Sequence, residues 1–236
     1  MFGSELIEVK DLSYRFPNGT LALHQVSFCV REKERVAVMG PNGAGKSTLL
    51  LLLDGLLAGD GLIRIFGQPL NRHNLKFIRS KVGLVFQNPD DQLFLPSVLD
   101  DVLYGVAARK KSAAPEAIKK AEEILRELKA EGLVNRSTMS LSLGEKKKVA
   151  LAGVLIMEPQ VLLLDEPTSG LDPAARRWLE NYLGGLDRTM IFATHNFDLA
   201  SKLASRVILL NGGRLVADGP AAEILGNEKL LLENGL

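Results

Sequence analysis

Short apolar runs separated by turn residues fill the first third of the chain. Residues 6–9, 12–14, 26–30, 35–39 and 62–66 read as strands, punctuated by Pro17-Asn18-Gly19 and Asp60-Gly61. The pattern predicts a small antiparallel sheet beside a first core strand at 35–39. From about residue 87 to 141 it shifts to more charge and fewer β-branched residues. Ala117, Ile118, Ala121, Ile124, Leu125 and Leu128 make one apolar stripe over 115–131, with Pro115 suited to the first helical turn and Gly132 to the stop. A helix is expected over 143–157, halted before Pro159, and then a continuous apolar run at 161–164 of the kind a parallel sheet covers on both faces. Another buried strand spans 189–194. Residues 207–210 and 214–217, joined through Asn211-Gly212-Gly213, read as a hairpin, and 220–236 as one short helical segment.

This order makes the fold α/β, with a mostly parallel core sheet, an N-terminal antiparallel β subdomain and an inserted helical lobe. A single domain is expected over residues 1–236, with 1–86 and 146–236 forming the core and β subdomain and 87–145 the helical lobe.

With 236 residues, 46% of them hydrophobic, the chain can bury a full core. Lys and Arg number 29 against 28 Asp and Glu, a balance that offers no footprint for gripping nucleic acid. Cys29 lies inside an apolar run and reads as a small buried hydrophobe in a reducing compartment. Met1-Phe2-Gly3-Ser4-Glu5 has no basic region ahead of an apolar segment, and no apolar stretch is long enough to cross a bilayer, so neither a secretion signal nor a membrane span is expected. His24 and His73 are scattered and lack metal-ligand spacing, which argues against a transition-metal site.

The chemistry is concentrated after the strand at 35–39. Gly40-Pro41-Asn42-Gly43-Ala44-Gly45-Lys46-Ser47-Thr48 has the spacing with which a loop wraps a polyphosphate. Small residues let successive backbone N–H groups converge on phosphate oxygens, and the helix that follows presents its N-terminus to the same charge. Lys46 would reach the β- and γ-phosphates and Ser47 would ligate Mg²⁺. Asp165-Glu166 closes the strand at 161–164, placing two carboxylates at the C-terminal edge of a parallel sheet. The first would hold Mg²⁺ through water and the second would polarise an attacking water. Ser142 and Glu145 form a capping-box pattern at a helix start, which is also a place for a phosphate.

Taken together, Gly40 to Ser47, Gln87, Leu141 to Glu145, Leu162 to Glu166, Ser169-Gly170-Leu171-Asp172 and His195 resemble, in order and spacing, the nucleotide-binding domain of ABC transporters, a P-loop NTPase with a RecA-like core. The resemblance spans essentially the whole chain and implies an ATP-hydrolysing subunit coupled to transport. It implies that Tyr14 stacks on adenine, that Gln87 is the lid glutamine touching Mg²⁺ and water, and that Glu166 is the catalytic base. His195 would be the switch histidine at the γ-phosphate, and Asp172 the aspartate that acts across a dimer. In this family two domains face each other head to tail, so Ser142 and Gly144 would complete the phosphate loop of a partner, either a second copy or a second ABC ATPase. The chain would then sit on the cytoplasmic face of the cell membrane, bound to a transmembrane coupling subunit.

Two departures stand out. Where the family signature is Leu-Ser-Gly-Gly-Gln, this chain has Leu143 at the first glycine and Glu145 at the glutamine. A carboxylate near a triphosphate weakens closure unless Lys146, Lys147 or Lys148 offsets it. The continuation Gln87-Asn88-Pro89-Asp90-Asp91-Gln92-Leu93-Phe94 resembles the ATPases of energy-coupling-factor type importers, especially those for cobalt and nickel ions, which pair with a membrane substrate-binding subunit. A vitamin importer of the same type and a soluble non-transport ABC ATPase are the alternatives. Asp90 and Asp91 would add acidic groups where the membrane subunit docks.

Overall fold

The computed structural model describes residues 5–110 and 115–236, with side chains omitted at 108–110. The expected lack of a leader at residues 1–4 therefore lies outside the described residues. The strands are β1 (Glu5–Arg15), β2 (Leu21–Arg31), β3 (Arg35–Met39), β4 (Asp60–Ile65), β5 (Gln68–Pro69), β6 (Val82–Val85), β7 (Val161–Asp165), β8 (Thr189–Ala193), β9 (Arg206–Asn211) and β10 (Arg214–Pro220). The helices are α1 (Lys46–Leu53), α2 (Leu75–Arg79), α3 (Val98–Lys110), α4 (Pro115–Glu127), α5 (Leu143–Leu155), α6 (Pro173–Gly185), α7 (Phe197–Leu203), α8 (Ala221–Leu225) and α9 (Glu228–Glu233).

Six strands in the order β10-β9-β3-β8-β7-β6 make the core sheet, parallel except for the β9–β10 hairpin. Alternation along the strands divides the interior into two apolar layers. Val36, Val38, Leu163, Ile191 and Ile208 face α1 and the β subdomain, while Ala37, Met39, Leu162, Leu164, Phe192 and Leu209 face the helical side. The second sheet, β2-β1-β4-β5, is wholly antiparallel. The functional loops leave the C-terminal ends of β3, β6, β7 and β8, so they collect on one rim of the core sheet.

Several expectations need correction. The runs at 6–9 and 12–14 are one strand, bent where Asp11 takes a φ of 50° and the pairing slips between Val9 and Leu12. Helix α4 stops at Glu127, and Lys129 with φ 51° turns the chain; Gly132 sits in a following 3-10 turn, Glu131–Leu133. The end of the chain forms two short helices, α8 and α9, in place of one. Strands β5 and β6 and helices α2, α3, α6 and α7 have no counterpart among the expected elements.

Candidate functional site

Strand β3 hands the chain to α1 through the glycine-rich loop. Gly40 has a φ of 149°, and a Cβ there would lie 2.1 Å from the Leu210 carbonyl oxygen of the neighbouring strand. Gly45, the N-cap of α1 at φ 100°, would put a Cβ 2.5 Å from the Ala22 carbonyl oxygen. The loop can therefore pack between β9 and β2 only with glycine at these two points. Lys46 is buried, and its Nζ donates to the carbonyls of Gly40 at 2.7 Å and Pro41 at 3.0 Å. Burial pulls its ammonium below the usual lysine range, opposed by the charges of Glu166 and Asp165. The Ser47 hydroxyl donates to Asp165 Oδ1 at 3.0 Å. Burial raises the Asp165 carboxyl above its ordinary value, and the Ser47 hydroxyl works against that rise.

Glu166 follows β7 with a left-handed φ of 41° and is buried. Its Oε1 accepts from the His195 backbone N–H at 3.0 Å and lies 2.6 Å from His195 Nδ1, while Oε2 is 3.3 Å from the Thr194 hydroxyl. Behind it, the buried Lys147 Nζ donates to the carbonyls of Glu166 at 3.0 Å and Pro167 at 3.1 Å and to Ser169 Oγ at 3.2 Å. Burial pulls the Lys147 ammonium down to about 8, although Glu166 and Asp165 favour its charged form. Two buried cations thus lie near the buried Glu166 and the half-buried Asp165.

Residues 42–48, Gln87, Glu166 and His195 line one open cavity of ≈480 Å³, together with Phe16 and residues 20–22. Asp165 stands behind it, reached through Ser47, and the carbonyls of Gly40 and Pro41 anchor Lys46. Tyr14 does not line the cavity. Its ring packs edge-on against Phe16, with centroids 5.0 Å apart, and leans on the apolar layer beneath the β subdomain. The aromatic that faces the cavity is Phe16, two residues further on, beside the turn at Pro17-Asn18-Gly19.

Ser142, Gly144 and Asp172 also lie outside the cavity. Ser142 caps α5 in a complete capping box: Glu145 Oε2 accepts from the Ser142 N–H at 2.8 Å and from its hydroxyl at 2.9 Å. The Ser142 backbone N–H is the main cause that holds the Glu145 carboxyl below the usual carboxylate range. The cation that touches Glu145 is Arg136, at 3.1 Å. Of Lys146, Lys147 and Lys148, any of which could offset this charge, helix phase leaves only Lys148 acting on Glu145. Lys146 pairs with Asp90 at 2.6 Å, Lys147 turns inward, and Lys148 lies over the Trp178 ring, acting on Glu145 only through space. Leu143, 41% exposed, packs on Gly170, and Gly144 faces Leu171. Asp172 caps α6, accepting from the N–H groups of Ala174 and Ala175. Signature turn and 169–172 loop therefore form one continuous surface.

A family model described as ABC transporter matches residues 23–169. The chain belongs to the ABC transporter family. The energy-coupling factor transporter ATP-binding protein EcfA of Carboxydothermus hydrogenoformans is 44% identical, over 98% of this chain and 86% of the relative. Its namesake in Methanothermobacter thermautotrophicus is also 44% identical, over 96% of this chain and 74% of the relative. Among solved structures, CbiO1 of Clostridium perfringens, part of the ABC transporter complex CbiONQ, superposes with a TM-score of 0.82 at 36% identity, covering 97% of this chain and 93% of that one.

The chain is thus an ABC-type ATPase. The side chains that sequence reasoning missed are Phe16 and Lys147. An aromatic at the strand end next to a Pro-Asn-Gly turn was a visible signal for Phe16, whereas nothing in Lys146-Lys147-Lys148 distinguishes the inward-facing lysine.

Proposed function

We propose that this chain binds MgATP in the cavity beside residues 40–48 and hydrolyses it with Glu166 as general base, and that the turnover energises an energy-coupling-factor type importer. The observation that carries the proposal is the convergence of the phosphate loop, Gln87, Glu166 and His195 on one cavity. Lys46 holds two loop carbonyls that a triphosphate can replace as acceptors, so anion binding exchanges hydrogen bonds without creating a buried unpaired charge. Phe16, in the cavity lining, supplies an aromatic face for the base in place of Tyr14.

The donor set fits Mg²⁺. Ser47 Oγ and Asp165 are hard oxygen ligands already in contact, and Gln87 adds an amide oxygen at the cavity wall. Bound Mg²⁺ neutralises phosphate charge. Glu166 takes a proton from water at its carboxylate, and His195, hydrogen-bonded to that carboxylate, orients it and faces the terminal phosphate.

Ser142, Gly144 and Asp172 fit a head-to-tail pair, since they share one surface of α5 and the 169–172 loop and stand apart from the chain's own pocket. The partner is a second copy or a second ABC ATPase. The relatives named EcfA and the CbiO1 structure support the importer assignment, with a transmembrane coupling subunit and a membrane substrate-binding subunit as partners at the cytoplasmic face. Residues 87–94 favour cobalt or nickel ions as cargo. Among the described residues no helix is long and apolar enough to cross a membrane, so docking would be peripheral.

Glu166→Gln tests the hydrolytic assignment. It should lower kcat by about 10²–10³-fold with ATP affinity retained; unchanged turnover would refute it. Co-purification with a membrane coupling subunit, followed by turnover measurement in the complex, tests the importer assignment.

A further inference from the structure

Glu166 is the one non-glycine residue of the site held at positive φ, at 41°. That conformation is disfavoured for a side chain of its size and persists only where neighbours over-determine it. Its own N–H donates to the Ala193 carbonyl at 3.0 Å, which fixes one end of the residue against β8. The other end is fixed by Lys147. The carbonyls of Glu166 and Pro167 converge on Nζ, and Ser169 Oγ, which itself donates to the Glu166 carbonyl at 2.9 Å, takes the third ammonium proton. All three donors of a buried ammonium are used, so neither the cation nor the turn has an alternative arrangement of equal energy.

Lys147 belongs to α5, whose N-terminus carries Ser142 and Gly144, and the same helix meets the 169–172 loop again where Leu143 packs on Gly170. We propose that Lys147 is a positioning residue for hydrolysis: it holds the Glu166 backbone in its left-handed conformation and thereby aims the carboxylate, and it ties that carboxylate rigidly to the helix bearing Ser142 and Gly144. The proposal rests on Glu166 being the base. Lys147 does not line the cavity, and its effect passes through the turn alone. A displacement at the N-terminus of α5 would reach Glu166 of the same chain through this lysine.

The test compares Lys147→Met and Lys147→Gln, each in the wild-type and Glu166→Gln backgrounds, by steady-state ATP turnover, nucleotide binding and thermal unfolding. In the wild-type background Lys147→Met should lower kcat by about 10–100-fold, since general-base assistance is worth about 10²–10⁴-fold and a misaimed base loses part of it. ATP affinity should stay within about twofold, because the phosphate loop is untouched, and Lys147→Gln, which keeps two N–H donors, should recover part of kcat. In the Glu166→Gln background Lys147→Met should cause no further loss, because residues acting as a unit are non-additive. An equal proportional loss in both backgrounds would mark Lys147 as merely structural and overturn the proposal, as would wild-type kcat in a folded Lys147→Met. If Lys147→Met does not fold, Lys147→Gln carries the same comparison. Full turnover in Glu166→Gln alone would instead overturn the base assignment, and this proposal with it.

Discussion

Replacing Glu145 with alanine should move two measurable quantities in opposite directions. In the folded chain Glu145 accepts two hydrogen bonds from Ser142, at 2.8 and 2.9 Å, and pairs with Arg136 at 3.1 Å. The Arg136 and Glu145 side chains are 44% and 31% exposed, so water replaces much of what is lost. The capping interaction and the screened pair together are worth about 1 kcal/mol, which for a chain of this size lowers Tm by about 2–4 °C. On the proposed head-to-tail pairing, the same substitution removes a negative charge that faces the second chain's triphosphate. At a separation of about 8 Å and an effective dielectric of about 40, each unit of charge repels by about 1 kcal/mol, or about fivefold in the association constant. It also frees the Ser142 hydroxyl, now engaged by Glu145, to donate to phosphate. Sedimentation of the ATP-bound Glu166→Gln form, with and without Glu145→Ala, reads the association, and thermal unfolding reads the stability. Tighter pairing at low salt with a lower Tm is expected, and the gain should shrink as salt rises. Weaker pairing at low salt would refute the electrostatic reasoning.

Other outcomes follow from the same geometry. Phe16→Ala should weaken ATP binding by about 5–30-fold with little change in Tm, while Tyr14→Ala, which removes packing from the apolar layer, should lower Tm and leave affinity within about twofold; nucleotide titration and thermal melts separate the two. Gly40→Ala places a methyl 2.1 Å from the Leu210 carbonyl and should destabilise the fold by about 2–4 kcal/mol while abolishing tight ATP binding, measured by urea unfolding and nucleotide titration. Asp54 is buried at the end of α1, and desolvation raises its carboxyl to about 6 against Arg79 at 3.7 Å. The folded state therefore keeps this proton to higher pH than the unfolded state, so the group's contribution falls as pH rises from about 4 to about 6 and stays unfavourable above that window. Asp54→Asn should stabilise the chain at pH 7 by about 2 kcal/mol and be neutral near pH 4, because Arg79 keeps its bonds to the Asp54 and Gly55 carbonyls; urea unfolding across that range decides it.

What was legible in the sequence was whatever depends on contiguous residues. The phosphate loop, the Asp165-Glu166 pair and the capping box are linear patterns whose geometry is set within a few residues, and Lys46, Ser47, Glu166 and His195 converge because strands β3, β7 and β8 are adjacent in one parallel sheet. What was not legible depends on phase. Two-residue alternation would put Tyr14 and Phe16 on the same face, but the register shifts between Tyr14 and Arg15 and β1 ends at Arg15, so counting along the strand does not say which of the two faces the pocket. In α5, three consecutive lysines are equivalent as letters, but 100° of rotation per residue sends them to Asp90, to the Glu166 turn and to Trp178. Strand β6 was hidden by Gly83, which interrupts its apolar run because a Cβ there would lie 2.4 Å from Val154.

The charge arrangement around the pocket separates the two buried lysines by function. Asp165 and Glu166 lie close enough to Lys46 and Lys147 to favour both charged ammonium forms against the cost of burying them. A buried cation is tolerated where its donors find acceptors: Lys46 donates to two backbone carbonyls, and Lys147 to two backbone carbonyls and the Ser169 hydroxyl. The difference lies in what could replace those carbonyls. Lys46 opens onto the cavity, so a phosphate can take over its donors and the released Gly40 and Pro41 carbonyls need only water. Lys147 is buried beneath the Glu166 turn and does not line that cavity, so on the proposed reading it keeps its place while nucleotide comes and goes. One ammonium is therefore free to follow the substrate, while the other holds fixed the strained residue on which the proposed chemistry depends.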